Sequence, residues 1–222
     1  MPTTIKYQND AESFITEEEA NQLNDYSKLF YEDGALKKEE TYKDGVLWGG
    51  VYRLGSSEDP ITVVKQLGPH LMWSIGSNKQ LVNGYTIWEY RFYTETLALK
   101  PTFSKIAYDS KLRVVGVISY DTATLQVKSG LKTFYFGGVL VEGETNSYYE
   151  EDSEINFNFD STTLSQIFMN SEIINNEGSF DTLNSFVQEA GTLIDYLFTP
   201  AQLDYYSNLE PLAPPFSCSK KR

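Results

Sequence analysis

The chain has 222 residues, is 41% hydrophobic and 14% aromatic, and carries 18 Lys and Arg against 31 Asp and Glu, a formal net charge of -13. That length allows one sizeable domain with a real core, and the aromatic content excludes disorder. The acidic balance argues against nucleic acid or an anionic membrane as a partner.

The first fourteen residues, MPTTIKYQNDAESF, have neither a basic region nor an apolar run, so no secretory signal is expected, and no window is apolar enough for a membrane span. Cys218 is the single cysteine, which precludes an intramolecular disulfide and suits a cytoplasmic, reducing location.

In chain order, Thr16 and Glu19 form a capping box, with three glutamates in the first turn, and predict a helix from Glu17 to Leu29. The next stretch repeats Tyr-x-x-Gly three times, at Tyr31–Gly34, Tyr42–Gly45 and Tyr52–Gly55. Asp33-Gly34 and Asp44-Gly45 are dipeptides that type I′ hairpin turns prefer, so this repeat reads first as the punctuation of a β-meander. Beyond Pro60, the segments ITVVKQ, LMWSI, YTIWEYRFY, LRVVGVISYD, ATLQVKS and LKTFYFGGVLVE are rich in β-branched and aromatic residues and predict further strands. After Asp160 the period changes. TTLSQIFMN predicts a short helix, and DTLNSFVQEAGTLIDYLF a longer one with Asp181 as N-cap. TPAQLDYYSNL predicts a last helix with Pro200 in its first turn. The expected class is α+β in a single domain over 1–222: an N-terminal helix within 1–30, an antiparallel sheet core over 31–160, C-terminal helices over 161–210 and an extended tail over 211–222.

The stretch FYEDGALKKEETYKDGVLWGG resembles a MORN-type repeat variant, with Tyr31, Gly34, Leu36, Glu39, Tyr42, Gly45 and Gly49 in the pattern over about one and a half units. The resemblance implies hairpin repeats and an association with antitoxin-like or immunity-like bacterial proteins.

Charge is unevenly placed. Up to Val141 there are 15 Lys and Arg against 17 Asp and Glu, whereas no basic residue stands between Lys132 and Lys220. Such a field favours a cationic partner. Within the acidic stretch, Glu142, Glu144, Glu150, Glu151, Asp152 and Glu154 are the expected contact residues, on a loop between the last strand and the helices. They lack the alternating ligands and central glycine of a calcium loop, so no metal or other cofactor is expected. His70 is the only histidine, which precludes a Cys/His zinc site within the chain and makes catalysis by a His-based pair a poor reading. Cys218 lies in the expected tail without a histidine near it in sequence.

Two functional classes remain. One is a non-enzymatic acidic binding protein of immunity or antitoxin type, which neutralises a basic protein toxin. The other is a small-ligand-binding protein or enzyme in which Trp73, Trp88, Tyr90 and Phe92 line a pocket in the sheet.

Overall fold

The computed structural model describes residues 3–10, 13–136, 153–170 and 178–216. The chain is dominated by strand. Thirteen strands form one hydrogen-bonded order, β13-β12-β11-β10-β9-β8-β7-β6-β5-β4-β3-β1-β2, and none of the five helices among the described residues exceeds eight residues. The expected α+β class with an N-terminal helix is therefore corrected: this is largely a sheet protein, and its described N-terminal part opens with strand.

The chain divides into two compact units, one formed by 1–79 and 88–103, the other by 80–87 and 104–222. In the first, β1 (Thr3–Gln8) pairs with β2 (Phe14–Ile15) and β3 (Tyr26–Glu32), and the ladder continues through β4 (Ala35–Lys43) and β5 (Val46–Arg53). Between β2 and β3 lies α1 (Glu17–Ala20), with the Thr16–Glu19 capping box intact but only four residues long. Asn21, Asn24 and Asp25 offer the backbone local alternatives to a helix. The following YSKLFYE is then taken as a strand, paired on both sides.

The two Asp-Gly hairpins are structural repeats. Asp33 and Gly34 have φ of 50° and 78°, Asp44 and Gly45 of 51° and 72°, as a type I′ turn requires. Each hairpin carries a bulge at the same offset, with Lys37 as the extra residue in the first and Trp48 in the second. The third Tyr-x-x-Gly is different. The Tyr52 hydroxyl donates to Glu58 at 2.7 Å and the Gly55 amide donates to the same carboxylate, which turns the chain out of the sheet.

The chain then enters α2 (Pro60–Leu67), where ITVVKQ was expected to be a strand. Asp59 accepts from the Thr62 amide at 2.7 Å, Pro60 occupies the first turn, and Val63 and Val64 are buried. The reason lies in the pairing. β5 and β6 (Met72–Val82) are parallel, and a parallel pair needs a crossover, which a helix supplies. Val63, Val64, Trp73 and Ile75 form a buried cluster in this unit.

β7 (Tyr85–Tyr93) and β8 (Leu99–Tyr108) follow, and the second unit is then built on β9 (Val114–Asp121), β10 (Val127–Phe136), β11 (Ser153–Asp160), β12 (Thr163–Asn170) and β13 (Gly178–Phe180). Each of β10 to β13 pairs antiparallel with its predecessor. TTLSQIFMN was expected to be a helix and is β12. Its Leu164, Ile167 and Phe168 mimic helical spacing, but Ile167 and Met169 are the buried pair, two residues apart as a strand face demands. They pair with Phe157 and Ile155 of β11.

Three helices pack on these strands: α3 (Leu183–Ala190), α4 (Thr192–Leu197) and α5 (Pro200–Ser207). Thr182, not Asp181, caps α3, and Gly191, at φ 52°, separates α3 from α4 where one continuous helix was expected. The core between sheet and helices is strongly aromatic. Phe157 meets Phe186 edge-on at 6.0 Å and stacks on Tyr206 at 5.2 Å, while Phe134 meets Phe198 at 4.4 Å.

Candidate functional site

Of the acidic residues expected to make contact, Glu142, Glu144, Glu150, Glu151 and Asp152 lie outside the described residues. Glu154 does not stand on a loop. It is half-buried in β11, paired across the ladder with Tyr135 and Asn170, and its carboxylate accepts from the Asn156 side-chain amide at 2.8 Å. The strand begins earlier than the acidic composition suggested, because the alternation Ile155, Phe157, Phe159 buries one face completely enough to pull Glu154 into the ladder.

The structure instead exposes a different set of acids on α3 to α5 and their flanks. Phe186, Ala190, Ile194, Leu197, Phe198, Tyr205, Tyr206 and Leu209 turn inward. Asp181, Glu189, Asp195, Asp204 and Glu210 fall between them and are all exposed. The ion pairs found in this unit, Arg113 with Asp109 and Lys128 with Asp121, involve none of the five. Their signal was present in the sequence: each acid stands directly beside a residue of the apolar core, Phe180, Ala190, Ile194, Tyr205 or Leu209.

The cation of this half is hidden. Lys132, on β10, has no exposed surface and donates to the Tyr205 carbonyl at 2.8 Å and the Asn208 carbonyl at 2.6 Å. Burial pushes its amine down to about 7, against an opposite pull from Glu210 and Asp204. The helical surface is therefore anionic with no compensating lysine or arginine among its described residues. Such an arrangement can attract and orient a cationic group.

The first unit has the opposite character. Its lysines lie over aromatic rings: Lys38 is 4.0 Å from the Phe30 ring centroid, Lys43 4.3 Å from Trp48, and Lys37 4.6 Å from Tyr52. Some of its lysines and arginines also pair with acids, as in Lys38 with Glu40 at 2.7 Å, Arg91 with Glu89 at 2.6 Å, and Lys37 with Glu58.

The four aromatics expected to line a pocket do not share one side of the sheet. Trp73 and Ile75 point to α2, and the indole of Trp73 donates to the Leu67 carbonyl at 3.2 Å. Tyr90 packs against Gly76, on the opposite face from Ile75, and its hydroxyl accepts from Arg53 at 3.2 Å. The Arg53 guanidinium also lies 5.8 Å from the Trp88 ring, and the Lys100 ammonium 5.9 Å from that of Phe92. His70 is exposed in the turn after α2. Cys218 lies outside the described residues. Among the described residues, no three His, Cys, Asp or Glu side chains come close enough to hold a metal ion, and no helix is long and apolar enough to cross a membrane.

No family model, no curated protein and no solved structure matches this chain.

Proposed function

We propose that this chain is a non-enzymatic binding protein of the immunity or antitoxin type, acting in the cytoplasm, and that it neutralises a basic protein toxin through its acidic half. One observation carries the reading: the five exposed carboxylates on and beside α3 to α5 have no ion-pair partner among the described residues, while Lys132 is buried against α5. A surface of uncompensated like charge costs self-repulsion, and a cationic partner relieves it. The same field speeds encounter and fixes orientation, and it can occupy a groove built for phosphates. The run without Lys or Arg from 133 to 219 extends this charge, and the MORN-type resemblance of the two hairpins supplies the association with toxin neutralisation.

The test starts with capture from the native source at low salt and identification of the bound protein by mass spectrometry. Its association rate is then measured with wild type, with Asp181→Lys/Glu189→Lys/Asp204→Lys, and with Glu150→Lys/Glu151→Lys/Asp152→Lys. Reversal should slow association roughly tenfold or more at low salt. The difference should fade as salt shortens the Debye length to about 8 Å. Equal rates for all three proteins at low salt would discard electrostatic recognition.

A further inference from the structure

The chain after α5 forms a strap over the sheet. Leu209 is buried, and its Cδ1 lies 2.1 Å from where a Cβ on Gly130 would stand; Leu212 Cδ1 has the same relation to Gly116, at 2.8 Å. Ala213 is buried against Tyr85, Ala107 and Val115. Asn83 donates its side-chain amide to the Pro214 carbonyl at 3.2 Å, and the Tyr205 hydroxyl donates to the Leu212 carbonyl at 2.7 Å. Two strand glycines thus leave the room that two leucines fill. A trough this closely matched to its occupant argues for a defined docked state, not for casual collapse of a tail.

Lys132 stands beside that trough, paired across the ladder with Gly116 and two residues along β10 from Gly130. Besides its two carbonyl partners, its ammonium stands 3.5 Å from the centroid of the Tyr205 ring. The charged and titratable groups around it are Asp204 and Tyr205 on α5 and Glu210 on the strap. Its ladder partners on β9 and β11, Gly116 and Phe157, carry none. Neither carboxylate forms an ion pair with it, so dipoles and a ring face hold the group in the absence of a contacting counter-charge. A fully desolvated ammonium held in this way is a costly state. With the strap lifted, water reaches Lys132 and the cost is relieved. The open and closed strap therefore bind the Lys132 proton with different affinity, and proton and strap must compete.

We propose that residues 208–216 form a proton-linked latch: closing the strap over β9 and β10 expels the extra proton of Lys132 to solvent, so rising pH clamps the strap and falling pH loosens it.

Hydrogen–deuterium exchange at the Leu209, Leu212 and Ala213 amides, corrected for the intrinsic exchange rate, reads the strap directly between pH 6 and 9.5. Above the depressed Lys132 value of about 7, the protection of these amides should rise up to tenfold per pH unit, the slope for one proton. In Lys132→Met, which cannot take up the proton, the slope should vanish. A second readout needs no change at Lys132: the ¹³Cε resonance of its side chain should titrate near neutrality in wild type. In Leu209→Ala, whose strap docks more weakly, that midpoint should move toward the ordinary lysine range. Strap protection independent of pH in wild type, a slope that survives in Lys132→Met, or a Lys132 resonance titrating as an ordinary lysine would each overturn the latch.

Discussion

The two units deal with charge and burial in opposite ways. In the first, lysines lie along aromatic rings or against carboxylates, and the buried cluster under α2 is small: Val63, Val64, Trp73 and Ile75. In the second, aromatic rings are packed inward between strands and helices, Lys132 goes in with them, and the five carboxylates on and beside α3 to α5 are left exposed, with no ion-pair partner among the described residues. The difference teaches where stability and recognition can be separated. Where side chains serve at once as packing and as charge pairs, as Lys38 does with Phe30 and Glu40, a change to one disturbs both. Where a carboxylate is exposed and makes no ion pair among the described residues, as Glu189 is, the surface charge can be rewritten without touching the fold.

The largest effect expected on this comparison belongs to the second core. Phe157 has no exposed surface and touches Phe186, Phe198 and Tyr206, so Phe157→Ala should destabilise the protein by about 3–5 kcal/mol in chemical denaturation. A loss below 1 kcal/mol would show that this aromatic cluster is not the centre of the unit's stability.

Gly45→Val should cost about 1–2 kcal/mol. Open space surrounds the Cβ position of Gly45, so the whole cost is the strain of a φ of 72° on a branched residue. An unchanged denaturation midpoint would contradict the type I′ turn in the first unit.

Acid should act on the first unit through Glu58. Burial raises its carboxyl, but hydrogen bonds from Lys37, the Gly55 amide and Tyr52 together take it below the usual range. A depressed folded value means stability that is present above the unfolded carboxyl value and lost as pH falls through the folded one. Glu58→Gln should therefore flatten the acid side of the melting-temperature profile. An unaltered profile would mean that the three donors do not hold the charged form.

The smallest effect should come from the acidic helices. Asp181→Lys, Glu189→Lys and Asp204→Lys should each shift stability by less than about 0.5 kcal/mol. A gain well above this on single reversal would show that the uncompensated carboxylates strain the fold itself, and would sharpen the contrast with the paired acids of the first unit.

Short-range chemistry was legible in the residues. Asp-Gly twice at the same offset specified two turns, because so few residues accept positive φ. Thr16 with Glu19, and Pro200 after Thr199, marked helix starts, because orphan amides need a nearby acceptor. The lack of Lys and Arg between Lys132 and Lys220 marked the acidic half, although only the fold showed which carboxylates among the described residues are exposed.

What the residues could not decide was set by partners distant in the chain. Asp59-Pro60 already encoded a helix start, yet ITVVKQ is β-branched enough to read as a strand, and the parallel pairing of β5 with β6 makes it the crossover helix. TTLSQIFMN carries both periods at once, and pairing with β11 selects the strand. YSKLFYE becomes a strand because β1 and β4 lie on either side to receive its hydrogen bonds. Lys132 shows the same division most plainly. Its sequence neighbours are those of an ordinary strand lysine, and only α5 and the strap, more than seventy residues on, remove it from water. Local preferences are worth tenths of a kcal/mol to about one per residue, whereas burial of a large side chain is worth about 1.5–3 kcal/mol, so where the two disagree the tertiary partner wins.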